Sequence, residues 1–246
     1  MNYYNYFTEI EEHFVRRRGK HLLLSPMDWS LIATWRDSGV PLHVALRGVD
    51  IAMDGFFAKP HRASAKVNSL FYCHDCVMAE YASYLEAHLG ESRASATGDR
   101  AQPGSNSEPR FDQGPDRLAI LKFLEARMSE IKVLRAKQSP GEGVSEGIDR
   151  VLHRLEEIAS QLESEKQPEF EALERDLGIL DELLISELRT TITPEQMAAW
   201  EREAKTELKV YRKRLPKETY QKILDNFLRG KLHRHFDVGE LSLFHL

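Results

Sequence analysis

The sequence predicts an all-α protein. It comprises a small N-terminal helical module and a C-terminal antiparallel helical bundle with short coiled-coil-like hairpins, joined by a disordered linker. Three observations predict it. First, apolar residues recur every three or four positions, as in Val144, Ile148, Val151, Leu155, Ile158 and Leu162. That is the period of a helix buried on one face. Second, helix starts are spelled out. Ser25-Pro26-Met27-Asp28 combines an N-cap serine, proline at the first helical position and an acidic residue where it closes a capping box; Thr193-Pro194 opens a second capped helix. Third, Gly90 to Asp116 is rich in Gly, Ser, Pro, Ala and Asp and has no large apolar residue before Phe111. Such a stretch cannot bury enough surface to offset its ordering entropy. The expected organisation is therefore a helix-turn-helix-like module at 1–89, a linker at 90–116 and a bundle at 117–246.

The N-terminal module reads as four helices. Phe7, Ile10 and Phe14 mark the first. Met27, Leu31, Ile32 and Trp35 mark the second, which Gly39 stops. The third starts at Pro41 and runs through Leu42, Ala45, Leu46, Val49, Ala52, Met53 and Phe56. The fourth is expected over about Ala65 to Leu89. The run His21 to Ser25 is open to a second reading, a short strand forming the wing of a winged helix. In the C-terminal module, Leu121, Leu124, Met128 and Ile131 form one seam and Phe170, Leu173, Leu177, Leu180 and Leu184 another. Pro140 and Pro168 break the hairpins. Helices then open at Pro194 and Pro216. The closing Leu241, Leu243 and His245 alternate with Ser242, Phe244 and Leu246 in a tail too apolar to float; it docks on a module or on a partner.

Composition narrows the function. The net charge is −5, so the chain as a whole is not basic, but residues 201–246 carry 11 basic against 7 acidic groups. Two cysteines three residues apart cannot staple a fold, which suits a reducing compartment. The N-terminus lacks the pattern of a signal peptide and no run is long and apolar enough to span a bilayer. A cytoplasmic protein is expected. There is no H-E-x-x-H, no Gly-rich phosphate loop, no G-x-G-x-x-G and no Glu-x-x-His. Nothing supports catalysis, and no cofactor is expected.

Cys73-His74-Asp75-Cys76 has the spacing of half a zinc site or of a redox dithiol. Its plainer reading is two small, half-buried residues inside the fourth helix with His74 at the seam, and no metal is expected there. His233 and His235, two apart on a helix, point opposite ways and read as surface residues. The carboxylates of the middle segment read as solvated outer faces.

The basic clusters are the remaining signal. Arg16, Arg17, Arg18 and Lys20 follow the first helix, while Lys59, His61, Arg62 and Lys66 precede the fourth. Cations at a helix end stabilise its dipole, by about 0.3–1 kcal/mol each. Three consecutive arginines exceed that need and suit phosphate oxygens. Arg16, Arg17, Arg18, Lys20, Arg62 and Lys66 are therefore the candidate nucleic-acid contacts. If they meet on one exposed face, DNA is favoured; if the arginines pair with Glu11, Glu12 or aspartates, a protein–protein adaptor is. A later stripe, Lys205, Lys209, Arg212 and Lys213 continuing to Lys217, either binds phosphate or docks on the acidic heptad faces.

Phe14, Arg16–Lys20, Ser25, Pro26, Asp28, Trp29, Trp35, Gly39, Pro41, Leu42, Leu46, Arg47 and Gly48 carry a resemblance over residues 4–57. This stretch resembles the two-helix pattern of bacterial replisome-organiser, DnaD-like proteins. It also resembles the opening of an uncharacterised bacterial family in which F-x-R-R-R-G-K precedes the same helices. The first resemblance implies a DNA-associated role in replication; the second implies almost nothing about activity. The expected function is a non-catalytic DNA-associated or replication-accessory protein. The alternative is an adaptor or scaffold acting, or self-associating, through the C-terminal bundle and tail.

Overall fold

The computed structural model describes residues 6–19, 23–59, 66–94, 116–137, 144–164 and 169–246. Among them the regular elements are all helical. They fall into two compact units, whose described residues are 6–94 and 116–246. No helix among them is long and apolar enough to cross a membrane. The expected linker lies outside the described residues from 95 to 115.

The first unit contains α1 (Tyr6–Arg18), α2 (Pro26–Asp37), α3 (Leu42–Phe57), a 3-10 turn at Leu70–Tyr72 and α4 (His74–Ala94). α3 is its centre and packs on both α1 and α4. Tyr6, Phe7, Ile10 and Phe14 line one side of α1 and are buried, as the spacing requires. The capping box forms as written: the Asp28 amide donates to Ser25 Oγ (3.1 Å) and the Ser25 amide to Asp28 Oδ2 (3.2 Å). Gly39, at φ 78°, ends α2 in the left-handed region. Of the two tryptophans, Trp35 is buried, whereas Trp29 is half-buried and stacks on Phe7 with centroids 5.6 Å apart.

The fourth helix departs from expectation at both ends. It begins at His74, and residues 66–69 are not helical. The cause is Asp28. Its Oδ1 accepts from Ser69 Oγ (2.6 Å) and from the Leu70 amide (2.9 Å), which holds this strand of chain against α2. Ser69 then caps the 3-10 turn. At the other end α4 continues to Ala94, past Gly90. One glycine costs a helix only about 1 kcal/mol, and Glu, Arg and Ala around it are good helix formers. The described part of the His21–Ser25 run contains no strand.

The second unit contains α5 (Arg117–Lys137), α6 (Val144–Ser164), α7 (Phe170–Thr191), α8 (Pro194–Leu208) and α9 (Lys217–Phe236). α5, α6 and α7 pack in sequence, α9 packs on α7, and α8 pairs with α9. Their seams meet in one core: Ile120, Leu124, Ile131, Val151, Leu155, Leu177 and Leu184 are all fully buried. Leu241 and Leu243 of the tail belong to the same core. Ser242 caps a 3-10 turn at Leu243–His245, and every residue from Leu241 to Phe244 is buried. It therefore docks on its own unit and is not an open partner surface.

Candidate functional site

The N-terminal arginines are turned to different tasks. Arg17 lies over α3, with Nε 3.1 Å from Asp50 Oδ1 and an Nη2 ion pair to Asp54. His13 Nε2 reaches the same Asp50 carboxylate at 2.8 Å. Two aspartates of α3, one turn apart, thus engage His13 and Arg17 of α1. The Arg18 guanidinium sits 5.1 Å from the Phe14 ring centroid, a cation–π contact. Arg16 and Lys66 are exposed. Lys20, Arg62 and His61 lie outside the described residues. Of the candidate contacts among the described residues, Arg17 is engaged by carboxylates.

The C-x-x-C motif sits at the mouth of α4 rather than inside it. Cys73 closes the 3-10 turn and His74 is the first residue of the helix. Burial pushes the Cys73 thiol up to about 12, with Cys76 and Asp28 adding to it, and burial likewise raises Cys76. Neither is a ready thiolate at neutral pH. His74 Nδ1 accepts a hydrogen bond from Trp35 Nε1 at 3.0 Å. An indole N–H can only donate, so this nitrogen carries no proton and His74 is neutral. Burial also lowers its pKa, opposed by Asp75. Among the described residues no cluster of His, Cys, Asp or Glu has metal-binding geometry.

Two side chains read as surface groups are buried. Asp181, 2% exposed, and His233, 7% exposed, meet beneath the tail. His233 Nε2 lies 3.3 Å from Asp181 Oδ2, and His233 Nδ1 lies 3.1 Å from the Val238 carbonyl. Both partners are acceptors, so both ring nitrogens donate and the ring is an imidazolium. Burial lowers its pKa; the Asp181 hydrogen bond and charge, with Glu240 and Val238, outweigh burial and hold it above 6.5. Asp181 Oδ1 also accepts the Leu241 amide (2.9 Å). Glu174 accepts Ser242 Oγ (2.6 Å) and the Leu243 amide (2.7 Å), and Glu130 accepts the Gly239 amide (2.9 Å). These carboxylates fasten the tail. With both imidazole nitrogens engaged, the pair offers no base to a substrate.

The C-terminal basic stripe divides in two. Lys231 pairs with Glu203 at 2.6 Å, Lys205 with Glu201 at 2.8 Å, and Arg229 approaches Asp181 and Glu182 at 3.9 and 3.7 Å. That part docks intramolecularly. The rest is not on a helix face, because α8 ends at Leu208. From there the chain runs through successive turns closed by Tyr211 N and Arg212 N to Leu208 O, both 3.0 Å, and Leu215 N to Tyr211 O, 3.1 Å. Leu208 and Leu215 anchor the turn in the core. Lys209, Arg212, Lys213, Arg214 and Lys217 are exposed and take part in none of the ion pairs among the described residues.

The fold and these surfaces define an all-α protein of two helical units, each held by buried polar contacts that serve structure. A family model described as an uncharacterised protein matches residues 5–93, which is essentially the first unit. No curated protein and no solved structure matches the chain, and the DnaD-like resemblance gains no support from these comparisons.

Proposed function

We propose that this chain is a non-catalytic adaptor, which engages other macromolecules through the surfaces of its two helical units. The observation that carries this reading is the engagement of Arg17 by Asp50 and Asp54, which makes the central arginine of the cluster part of the α1–α3 packing. Further support comes from apolar side chains left on outer helix faces of the second unit. Leu118 is 63% exposed and Ile179 is 60% exposed. A shallow groove along α5 is lined by Glu125, Met128, Ser129, Lys132, Val133 and Ala136. The replication-accessory reading keeps one specific observation in its favour, the unpaired cations of the α8–α9 turn.

The test is Arg17→Ala in the full chain, read by thermal denaturation and by fluorescence anisotropy of labelled DNA. Arg17 is 30% exposed and Asp54 71% exposed, so the ion pairs are largely screened and their loss costs roughly 0.2–1 kcal/mol. The expected result is a small drop in Tm and no change in any DNA affinity. An unchanged Tm with a tenfold loss of DNA affinity would return Arg17 to the phosphate-binding reading.

A further inference from the structure

We propose that the turn between α8 and α9 is a nucleic-acid-binding surface that grips the phosphate backbone. Residues 209–217 hold five cations and no carboxylate. The local fold sorts them. Leu208 and Leu215 point into the core and Tyr211 is half-buried, which leaves Lys209, Arg212, Lys213, Arg214 and Lys217 on the outside. Several other cations of this unit have carboxylate partners: Arg135 with Asp149, Lys132 with Glu156, Arg154 with Glu157 and Asp176, Lys231 with Glu203. At the turn they do not.

Five like charges packed within a few residues repel one another, since charges closer than the Debye length of about 8 Å are only partly screened at physiological salt. A polyanion relieves that repulsion. The turn also leads into α9, a 20-residue helix whose N-cap, Pro216, supplies no side-chain acceptor. The positive end of the helix adds to the same field.

The choice of polyanion follows from what the tip lacks. An interfacial membrane anchor needs a broad apolar face; here the one strongly exposed apolar side chain is Val210, at 78%. A protein interface needs an apolar core inside its polar rim, and a lone valine does not make one. Lysine and arginine with little else is the composition of a phosphate-tracking surface, which binds without reading sequence. This inference does not depend on the adaptor reading. An adaptor with this tip carries nucleic acid as one of its partners.

The experiment uses the full chain and labelled single-stranded and duplex DNA of about 30 nucleotides, in anisotropy titrations across a salt series. If all five cations engage phosphates, log affinity for duplex falls with log salt at a slope of about −4 to −5. The variant carries Lys209→Gln, Arg212→Gln, Lys213→Gln and Arg214→Gln, all at exposed positions. Its circular dichroism melt is expected to match the parent. Its affinity is expected to fall at least tenfold, with a shallower salt slope, while Arg16→Gln with Lys66→Gln leaves both unchanged. Equal binding by parent and tip variant overturns the proposal, as does absence of binding at low salt. Tip-dependent sedimentation with phosphatidylserine vesicles and no DNA affinity overturns it in favour of a membrane surface.

Discussion

Asp181→Ala is expected to lower the Tm of the second unit by about 10 °C. Asp181 projects from α7 at a core position and is 2% exposed. It takes a hydrogen bond from His233 on α9, another from the Leu241 amide of the tail, and lies 3.9 Å from Arg229. The substitution leaves a buried imidazolium without its counter-charge and a buried amide without an acceptor. Removing one partner of a buried ion pair costs about 3–5 kcal/mol, and a unit of this size loses about 3 °C per kcal/mol. The tail follows, because Leu241 and Leu243 are core residues held in place by these bonds. Calorimetry checks the Tm, and hydrogen exchange at the Leu241 and Leu243 amides checks the tail. A drop of under about 3 °C would mean that Asp181 is not the hub described here. Asp181→Asn retains an acceptor for Leu241 but loses the charge, so a smaller drop is expected.

The same pair makes stability depend on pH, and the sign is fixed. His233 has a folded pKa held above the ordinary value of 6.5, so the folded state binds its proton more tightly. Stability from this contact is fully present below about pH 6.5, the unfolded value. It is lost as pH rises through the raised folded value. The charges bearing on the ring are Asp181, Glu240 and Arg229, with Arg229 reaching it through Asp181. Chemical denaturation at pH 6 and pH 9 is expected to show the loss in the parent and a flatter profile in Asp181→Asn. Equal slopes in the two proteins would assign the pH dependence to other groups.

The helices were legible because their apolar residues recur at helical spacing and two of them carry explicit caps. Ser25-Pro26 and Thr193-Pro194 state their own starts, and the Leu and Ile seams of α5, α6 and α7 state their own faces. What was not legible depends on contacts distant in sequence. The start of α4 is set by Asp28, 42 residues from the Leu70 amide it captures. Asp181 was readable in principle, since Leu177, Asp181, Leu184 and Leu188 keep 4-3-4 spacing, but a carboxylate is seldom buried without a partner. That partner, His233, lies 52 residues on. The surroundings of the candidate arginines were hidden for a similar reason. Asp50 and Asp54, which engage Arg17, lie 33 and 37 residues from it. The more open cations at 209–217 looked like a continuation of α8, because the period of the charges hides the end of the helix at Leu208.

Two identical substitutions in one helix are expected to have opposite signs. Gly48 and Gly55 both lie in α3. A Cβ at Gly48 would stand 2.5 Å from Val77 Cα and 2.8 Å from Val77 N. These are backbone atoms of α4, so no rotamer change relieves the clash; the two helices must separate. α3 and α4 form the main packing pair of the first unit, with Val44, Val49, Met53 and Val77 buried in that unit. Overpacking a well-filled core costs about 1–3 kcal/mol, occasionally more, and a backbone clash belongs at the upper end. At Gly55 nothing lies within 4 Å of the new methyl. There alanine removes glycine's conformational freedom in the unfolded chain and is expected to stabilise by up to about 1 kcal/mol. Thermal melts of Gly48→Ala and Gly55→Ala therefore separate in opposite directions from the parent. If Gly48→Ala melts with the parent, α3 and α4 do not meet at this close crossing. The crossing is also what sets the cost of any larger residue at position 48, since the space is closed by main chain and not by a side chain that can turn away.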